Sequence, residues 1–257
     1  IGRLSSGSRI ISAQDDPAGL AISEKLKSQI RGVDMARRNA EDGISALQVA
    51  EGGMTEIGGI LIRMKELALQ ASNETLSGND RDFLNTEFQQ LKSEITRISK
   101  STKFNGNTLL SGAYSSGGAE NGLLLQVGKD NVDADHMTVF IANVSLGALG
   151  STAQTLTNMT ISESAGQSRN MLQYLDAAIT DLSTARSQAG GQLARLSSII
   201  RNLSVTSQNL TAANSRIRDV DVANETANLT RDQILTQAGV SVLSQANQAP
   251  QVALSLL

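Results

Sequence analysis

The feature that most restricts the fold is a heptad in the C-terminal half of the sequence. Starting at Leu172, alternating steps of three and four residues land on Leu175, Ile179, Leu182, Arg186, Ala189, Leu193, Leu196, Ile200, Leu203, Ser207, Leu210, Asn214 and Ile217. An apolar repeat of this period, sustained over so many turns, belongs to a helix with a coiled-coil-like seam. At ~1.5 Å per residue the segment extends roughly 70 Å, longer than a globular domain of this mass requires. Arg186, Ser207 and Asn214 interrupt the seam with polar groups, which weakens it but fixes its register. Ser162 or Ser164 is positioned to cap the helix N-terminus.

A shorter seam, Leu84, Phe88, Leu91, Ile95 and Ile98, follows a stretch at 73–80 whose Ser, Gly and Asn residues read as a loop. Upstream, Ile44, Leu47, Ile57, Leu61, Met64, Ala68 and Ala71 mark one face of a helix expected over 17–72. Gly52, Gly53, Gly58 and Gly59 weaken that helix by up to ~1 kcal/mol each relative to Ala. On a packed face they also let a neighbour approach closely. Three long helices with complementary stripes predict a mainly α protein, an elongated antiparallel bundle of coiled-coil-like helices. The texture changes between the second and third. Phe104-Asn105-Gly106-Asn107, residues 115–118 and Asn121-Gly122 are turn signals, and short apolar runs occur at 123–127 and 137–144. Residues 102–159 therefore read as loops and a few strands, a small β/loop insert on the bundle.

Composition excludes several functions. The net charge is −3, from 22 Lys+Arg against 25 Asp+Glu, so no field steers the chain onto nucleic acid. Aromatic residues make up 2% and there is no Cys, which removes thiol nucleophiles, disulfides and Cys-based zinc sites. With His136 as the single His, a Ser-His-Asp constellation has almost no material. His136 lies near Asp130, Asp133 and Asp135, but the string lacks an ordering Gly and a distal Glu, so it reads as a solvated loop. Gly2-x4-Gly7 has phosphate-loop spacing with Ser8 where Lys is needed, a false match. Asn-x-Ser/Thr triplets such as Asn202-Leu203-Ser204 follow from Asn and Ser abundance alone. No cofactor or metal is expected, and no enzyme.

The tail is the most unusual segment. From 233 to 257 there is no charged residue, yet Gln, Ser, Asn, Thr and Pro250 break every apolar run before the ~20 residues a membrane span needs. A free-standing helix is not expected, because short helices are marginal in water and the aliphatic content is modest. The expectation is a helix ordered by partners on all sides, as inside a polymer. Nor does the sequence open with a charged region followed by an apolar core, so export is expected by a route without a cleaved signal peptide.

Several motifs carry a family resemblance. Arg3-Leu4-Ser5-Ser6-Gly7-Ser8-Arg9-Ile10, Asp15-Asp16-Pro17-Ala18-Gly19-Leu20-Ala21-Ile22, Gln29-Ile30-Arg31-Gly32, Arg38-Asn39-Ala40, Asp42-Gly43-Ile44-Ser45 and Phe104-Asn105-Gly106 resemble the N-terminal region of bacterial flagellins. Ser215-Arg216-Ile217-Arg218-Asp219-Val220-Asp221, Glu225-Thr226-Ala227-Asn228-Leu229-Thr230, Gln245-Ala246-Asn247-Gln248, Pro250-Gln251 and Leu254-Ser255-Leu256-Leu257 resemble the C-terminal one. The match covers roughly the first two-fifths and the last third. Two departures stand out: the family's first helix is expected to begin before Ile1, and the middle is short.

The resemblance implies a subunit of the flagellar filament that self-assembles through both terminal regions, serves motility, and is secreted to the bacterial flagellum. It implies residues 1–16 as the remnant of an N-terminal core segment and spoke, 17–112 as rod helices, and 113–162 as the insert. Residues 163–222 form the C-terminal rod helix and 223–257 a filament-core helix carrying Leu235, Val242, Leu243, Leu254, Leu256 and Leu257. Arg63, Leu67 and Glu87 match a patch that contacts neighbouring subunits and is bound by the vertebrate Toll-like flagellin receptor. The bland alternative is a solvated face with one semi-exposed Leu. Other implied partners are further flagellin subunits, the flagellar export apparatus and its secretion chaperone, the last two through the C-terminal segment. The hook–filament junction protein is the nearest rival. A chemotaxis-receptor hairpin is a second, disfavoured because the centre is Gly/Asn/Ser-rich rather than a Glu-rich tip.

Overall fold

The computed structural model describes residues 2–150, 156–162 and 164–254, with the side chains of 245 and 247–254 outside that description. The chain divides into two compact units, Ile1–Arg31 with Thr206–Leu257, and Gly32–Val205. The fold is mainly α. Helix α1 spans Gly2–Ser6, α2 Pro17–Ala71, α3 Gly78–Ser101, α4 Ala165–Arg218 and α5 Val222–Leu254. Strands β1 (Lys103–Phe104) and β2 (Asn107–Thr108) pair antiparallel, as do β3 (Leu123–Gln126) and β4 (His136–Val139).

Local chemistry sets the helix ends. Asp16 caps α2, its Oδ1 accepting from Gly19 N–H at 2.9 Å, and Pro17 occupies the first turn, where a missing N–H costs nothing. At the far end the Arg81 guanidinium donates to the carbonyls of Ala71 and Asn73 at 3.0 Å each, satisfying acceptors the helix leaves open. Ser77 and Asp80 form a reciprocal capping box that starts α3. Ser164 caps α4 by accepting from Gln167 N–H at 3.2 Å, so of the two serines expected there it is the second. In the β1–β2 turn Asn105 (φ 49°) and Gly106 (φ 84°) take the left-handed conformations that a two-residue hairpin needs.

Cross-helix ion pairs fix direction in the Gly32–Val205 unit. Glu51 and Lys65 on α2, and Glu74 in the loop after it, meet Arg186, Asp176 and Arg169 on α4, numbers rising along one as they fall on the other. Arg63 meets Glu87 on α3 in the same antiparallel sense. One core runs through this unit, with Leu47, Met54, Ile57, Leu61 and Met64 of α2 against Phe88 and Ile95 of α3 and Leu175, Leu182 and Leu196 of α4. The insert adds Leu110, Val139, Leu149 and Ile161. It comes down on α2 at Gly43 and Gly53. A Cβ on Gly53 would lie 2.7 Å from Thr102 Oγ1 and 2.8 Å from Leu110 Cδ1. A Cβ on Gly43 would collide with Leu125 Cδ1.

The α4 heptad needs one correction. Leu175, Leu182, Ala189, Leu196 and Leu203 are buried as expected, but Arg186 is half-exposed and pairs with Glu51 at 3.7 Å. The deep positions between are Met171, Ala178 and Ala185, while Leu172, Ile179, Leu193 and Ile200 are partly covered. A strict seam describes a helix facing one partner. Here α4 packs on α2 and on the insert together, so its buried stripe is wider and shifted. The tail forms α5, helical to Leu254, with Gly239 and Pro250 the residues of lowest helix propensity within it.

Candidate subunit interface

Two surfaces of different character stand out. The first lies on α5. Leu235, Val242 and Leu243 are 61, 64 and 65% exposed, as are Ile234 and Val240 to similar degree. Aliphatic side chains are thus left open to solvent along several turns of one helix. Leu256 and Leu257 lie outside the described residues, and only the backbone of Leu254 is described.

The start of α5 is held by the N-terminal segment of the same unit. Arg9 N–H donates to the Arg218 carbonyl at 2.6 Å, Val220 N–H to the Gly7 carbonyl at 3.1 Å, and Ser8 forms a bridge with Asp219. The Arg9 side chain adds a bond to the Ile217 carbonyl at 2.9 Å. Arg218 in turn binds the carboxylate of Glu24 and holds its pKa below the ordinary glutamate range, chiefly through that hydrogen bond. Asp15 closes the 11–15 turn by accepting from the Ile11 and Ser12 amides, which depresses its carboxyl pKa.

The second surface is on α2 and α3. Arg63 donates to Glu87 at 2.9 Å and to Glu66 at 3.0 Å, and these carboxylates, Glu87 first, push the guanidinium above its ordinary value. Arg63 and Glu87 thus come together as the spacing and loop length anticipate. Leu67 does not join them at the surface. It is 1% exposed and lies in the core cluster, which corrects the expectation of a semi-exposed side chain. The physical reason is that α2 packs on both α3 and α4, so its buried arc reaches one position past the 57/61/64/68/71 stripe.

Two residues of this region escaped the sequence reading. Phe83 on α3 is 76% exposed, one of only four Phe in the chain. Lys92 is 7% exposed, its Nζ donating to the carbonyls of Thr157 at 2.8 Å and Met159 at 3.0 Å, and burial lowers its pKa. Phe83 lies on the rim of a legible seam, one residue before Leu84, where an exposed aromatic is itself the signal. Lys92 carried none, since its acceptors are backbone groups far away in sequence. His136 sits in β4 paired opposite Gln126, and Asp135 accepts from the Asp130 N–H, an ordinary loop closure. No helix among the described residues is long and apolar enough to cross a membrane.

Comparison with known proteins agrees with this architecture. Residues 1–115 match the bacterial flagellin N-terminal helical region and residues 172–257 the C-terminal helical region. A flagellin from Halalkalibacterium halodurans is 44% identical over 255 residues, covering 99% of this chain and 89% of that protein. The crystal structure of Bacillus cereus flagellin is 30% identical with a TM-score of 0.53, covering 69% of this chain and 94% of the other. A flagellar hook-associated protein from Vibrio parahaemolyticus shares the fold at 18% identity and a TM-score of 0.64, covering 80% and 100%. With helical regions of that family at both ends and near-full-length identity to one of its members, this chain belongs to the bacterial flagellins.

Proposed function

We propose that this flagellin enters the flagellar filament through two distinct surfaces, the exposed aliphatic residues of α5 and the charged patch on α2 and α3. A structural rather than enzymatic role, and partnership with further flagellin subunits, follow from the family. The observation that carries the two-surface reading is α5: a 33-residue helix with its aliphatic side chains mostly in water is a costly end state for a lone subunit. In this reading Leu235, Val242, Leu243, Leu254, Leu256 and Leu257 line a filament-core helix over 223–257. Residues 17–112 and 163–222 serve as rod, 113–162 as insert, and 1–16 as spoke. Arg63 and Glu87 form the contact patch on the rod, with Leu67 supporting it from below.

The same patch is the surface that the vertebrate Toll-like flagellin receptor would bind. The charge-free C-terminal segment is what the export apparatus and its chaperone would hold before assembly, delivering the protein outside the cell. The hook–filament junction reading draws only on the fold it shares with the Vibrio protein. The test is assembly against stability. Arg63→Ala and Glu87→Ala are expected to melt like the parent while losing filament formation. Leu243→Lys is expected to block assembly with the Gly32–Val205 unit intact by hydrogen exchange. Parent-like filaments from all three variants would refute the proposal.

A further inference from the structure

The α2–α3 patch has a neighbour that the charged pair does not explain. Phe83, 76% exposed, stands four residues before Glu87 and so shares its face of α3. Beside it is Asp82, exposed and joined to no cation among the described residues. Residues 66–94 are strongly acidic, with six carboxylates against Arg81 and Lys92, and Lys92 is buried. A largely exposed phenyl ring with Asp82 next to it in sequence and Glu87 one turn away is a poor solvated surface and a good anchor for an apolar, basic partner.

Within the Gly32–Val205 unit, α4 carries a stretch of opposite character. From 182 to 205 there is no Asp or Glu, while Arg186, Arg195 and Arg201 are cationic. On α4, Val205 is 57% exposed and follows exposed Arg201 by four residues, so the two lie on one face. Arg201 is steadied only by the Ser198 hydroxyl at 2.8 Å and meets no carboxylate among the described residues. One patch is aromatic and acidic, the other aliphatic and basic, and they are different surfaces of one chain. Two unlike patches that fit each other make a head-to-tail contact that repeats without closing, which is what a filament of identical subunits requires.

We propose that Phe83 of one subunit docks on the Arg201–Val205 face of α4 in a second copy of this chain. The ring covers Val205 and receives the Arg201 guanidinium at its face or edge, while Asp82 and Glu87 supply the opposing charge. The proposal deepens, and rests on, the reading of the α2–α3 patch as a subunit contact.

Because the chain has no Cys, introduced thiols report this contact alone. Filaments of the full protein carrying Phe83→Cys and Val205→Cys, treated with a short bismaleimide, should give a ladder of linked subunits. Pairing Phe83→Cys with Leu124→Cys, also exposed, should give none. Phe83→Ala should raise the critical concentration by about tenfold or more with an unchanged melting temperature. If Phe83→Cys/Val205→Cys filaments form but yield no ladder, the docking partner is wrong. The patch reading survives that result if Arg63→Ala and Glu87→Ala still abolish assembly, and falls if they assemble normally. Should the double-Cys chain fail to polymerise, charge reversal decides. Asp82→Arg and Arg201→Glu should each weaken assembly, and the two in one chain should restore it; absence of restoration overturns the proposal.

Discussion

The side-chain amide of Gln192 pairs with the backbone of Phe140 as a neighbouring strand would: it accepts from the Phe140 N–H at 2.9 Å and donates to the Phe140 carbonyl at 2.8 Å. A helix residue thus closes the end of β4 and ties the insert to α4. Gln192→Ala removes both bonds at once. The expected loss is about 1–2 kcal/mol, since Phe140 is partly exposed and water can replace one partner. Faster exchange of the Phe140 amide, with α3 unchanged, is the signature to look for by NMR.

Leu67 and Arg63 separate packing from surface chemistry. Leu67→Ala empties space in the core and should cost about 2–5 kcal/mol in denaturant unfolding. Arg63→Ala breaks only half-exposed ion pairs and should change stability by less than ~1 kcal/mol. Equal losses from the two would contradict the placement of Leu67.

Asp80 gives an acid limit to the α3 start. Its carboxylate accepts from the Ser77 hydroxyl and the Ser77 N–H, which lowers its pKa below the ordinary 3.8. A carboxyl depressed on folding stabilises the fold fully above its unfolded pKa and loses that contribution as pH falls through the lower folded value. The cap should therefore persist at pH 5, begin to weaken only below the ordinary 3.8, and fail as pH falls through the lower folded value. In Ser77→Ala the Asp80 carboxyl, followed by NMR titration, should move back up toward its ordinary value. A titration curve identical to the parent's would show that the capping box does not set it.

Lys92 works in the opposite part of the pH scale. Burial lowers its pKa from 10.5, so the charged amine is less favoured in the folded state than in the unfolded chain. For a group depressed on folding, the associated stability is fully present above the unfolded pKa and declines as pH falls through the folded one. Stability should therefore rise with pH on approach to 10.5, and Lys92→Met should flatten that rise. Both Lys92→Ala and Lys92→Met free the Thr157 and Met159 carbonyls, and Lys92→Ala should cost about 1–3 kcal/mol more because it also opens a cavity.

The helices were legible because their signals are local and repeated. Pro17 and the apolar stripes set α2 almost to the residue, Pro17–Ala71 against an expected 17–72, whereas α3 starts at Gly78, inside the 73–80 stretch read as a loop, because the Ser77–Asp80 capping box begins it. Asn105-Gly106 likewise announced its hairpin. What stayed hidden depends on a third neighbour. Leu67 and Ala185 are buried, and Arg186 is not, because α2 and α4 each pack on more than one partner, which a single heptad cannot encode. Lys92 and Gln192 find backbone carbonyls 65–67 and 52 residues away, and no spacing rule points there. Of the patch, the Arg63–Glu87 pair was within reach of helix geometry; the packing beneath it was not.

The bonds between Gly7–Arg9 and 217–220 set an order of events as well as a geometry. Arg9 reaches a carbonyl 208 residues further along the chain. During synthesis the N-terminal segment emerges first and has no partner until that distant stretch follows. The Gly32–Val205 unit contains its own core and can condense before then. The clasp at the root of α5 therefore joins only after residues 217–220 have been made, when the unit between its two halves can already hold its own core. Until then residues 7–9 have nothing with which to orient the start of α5.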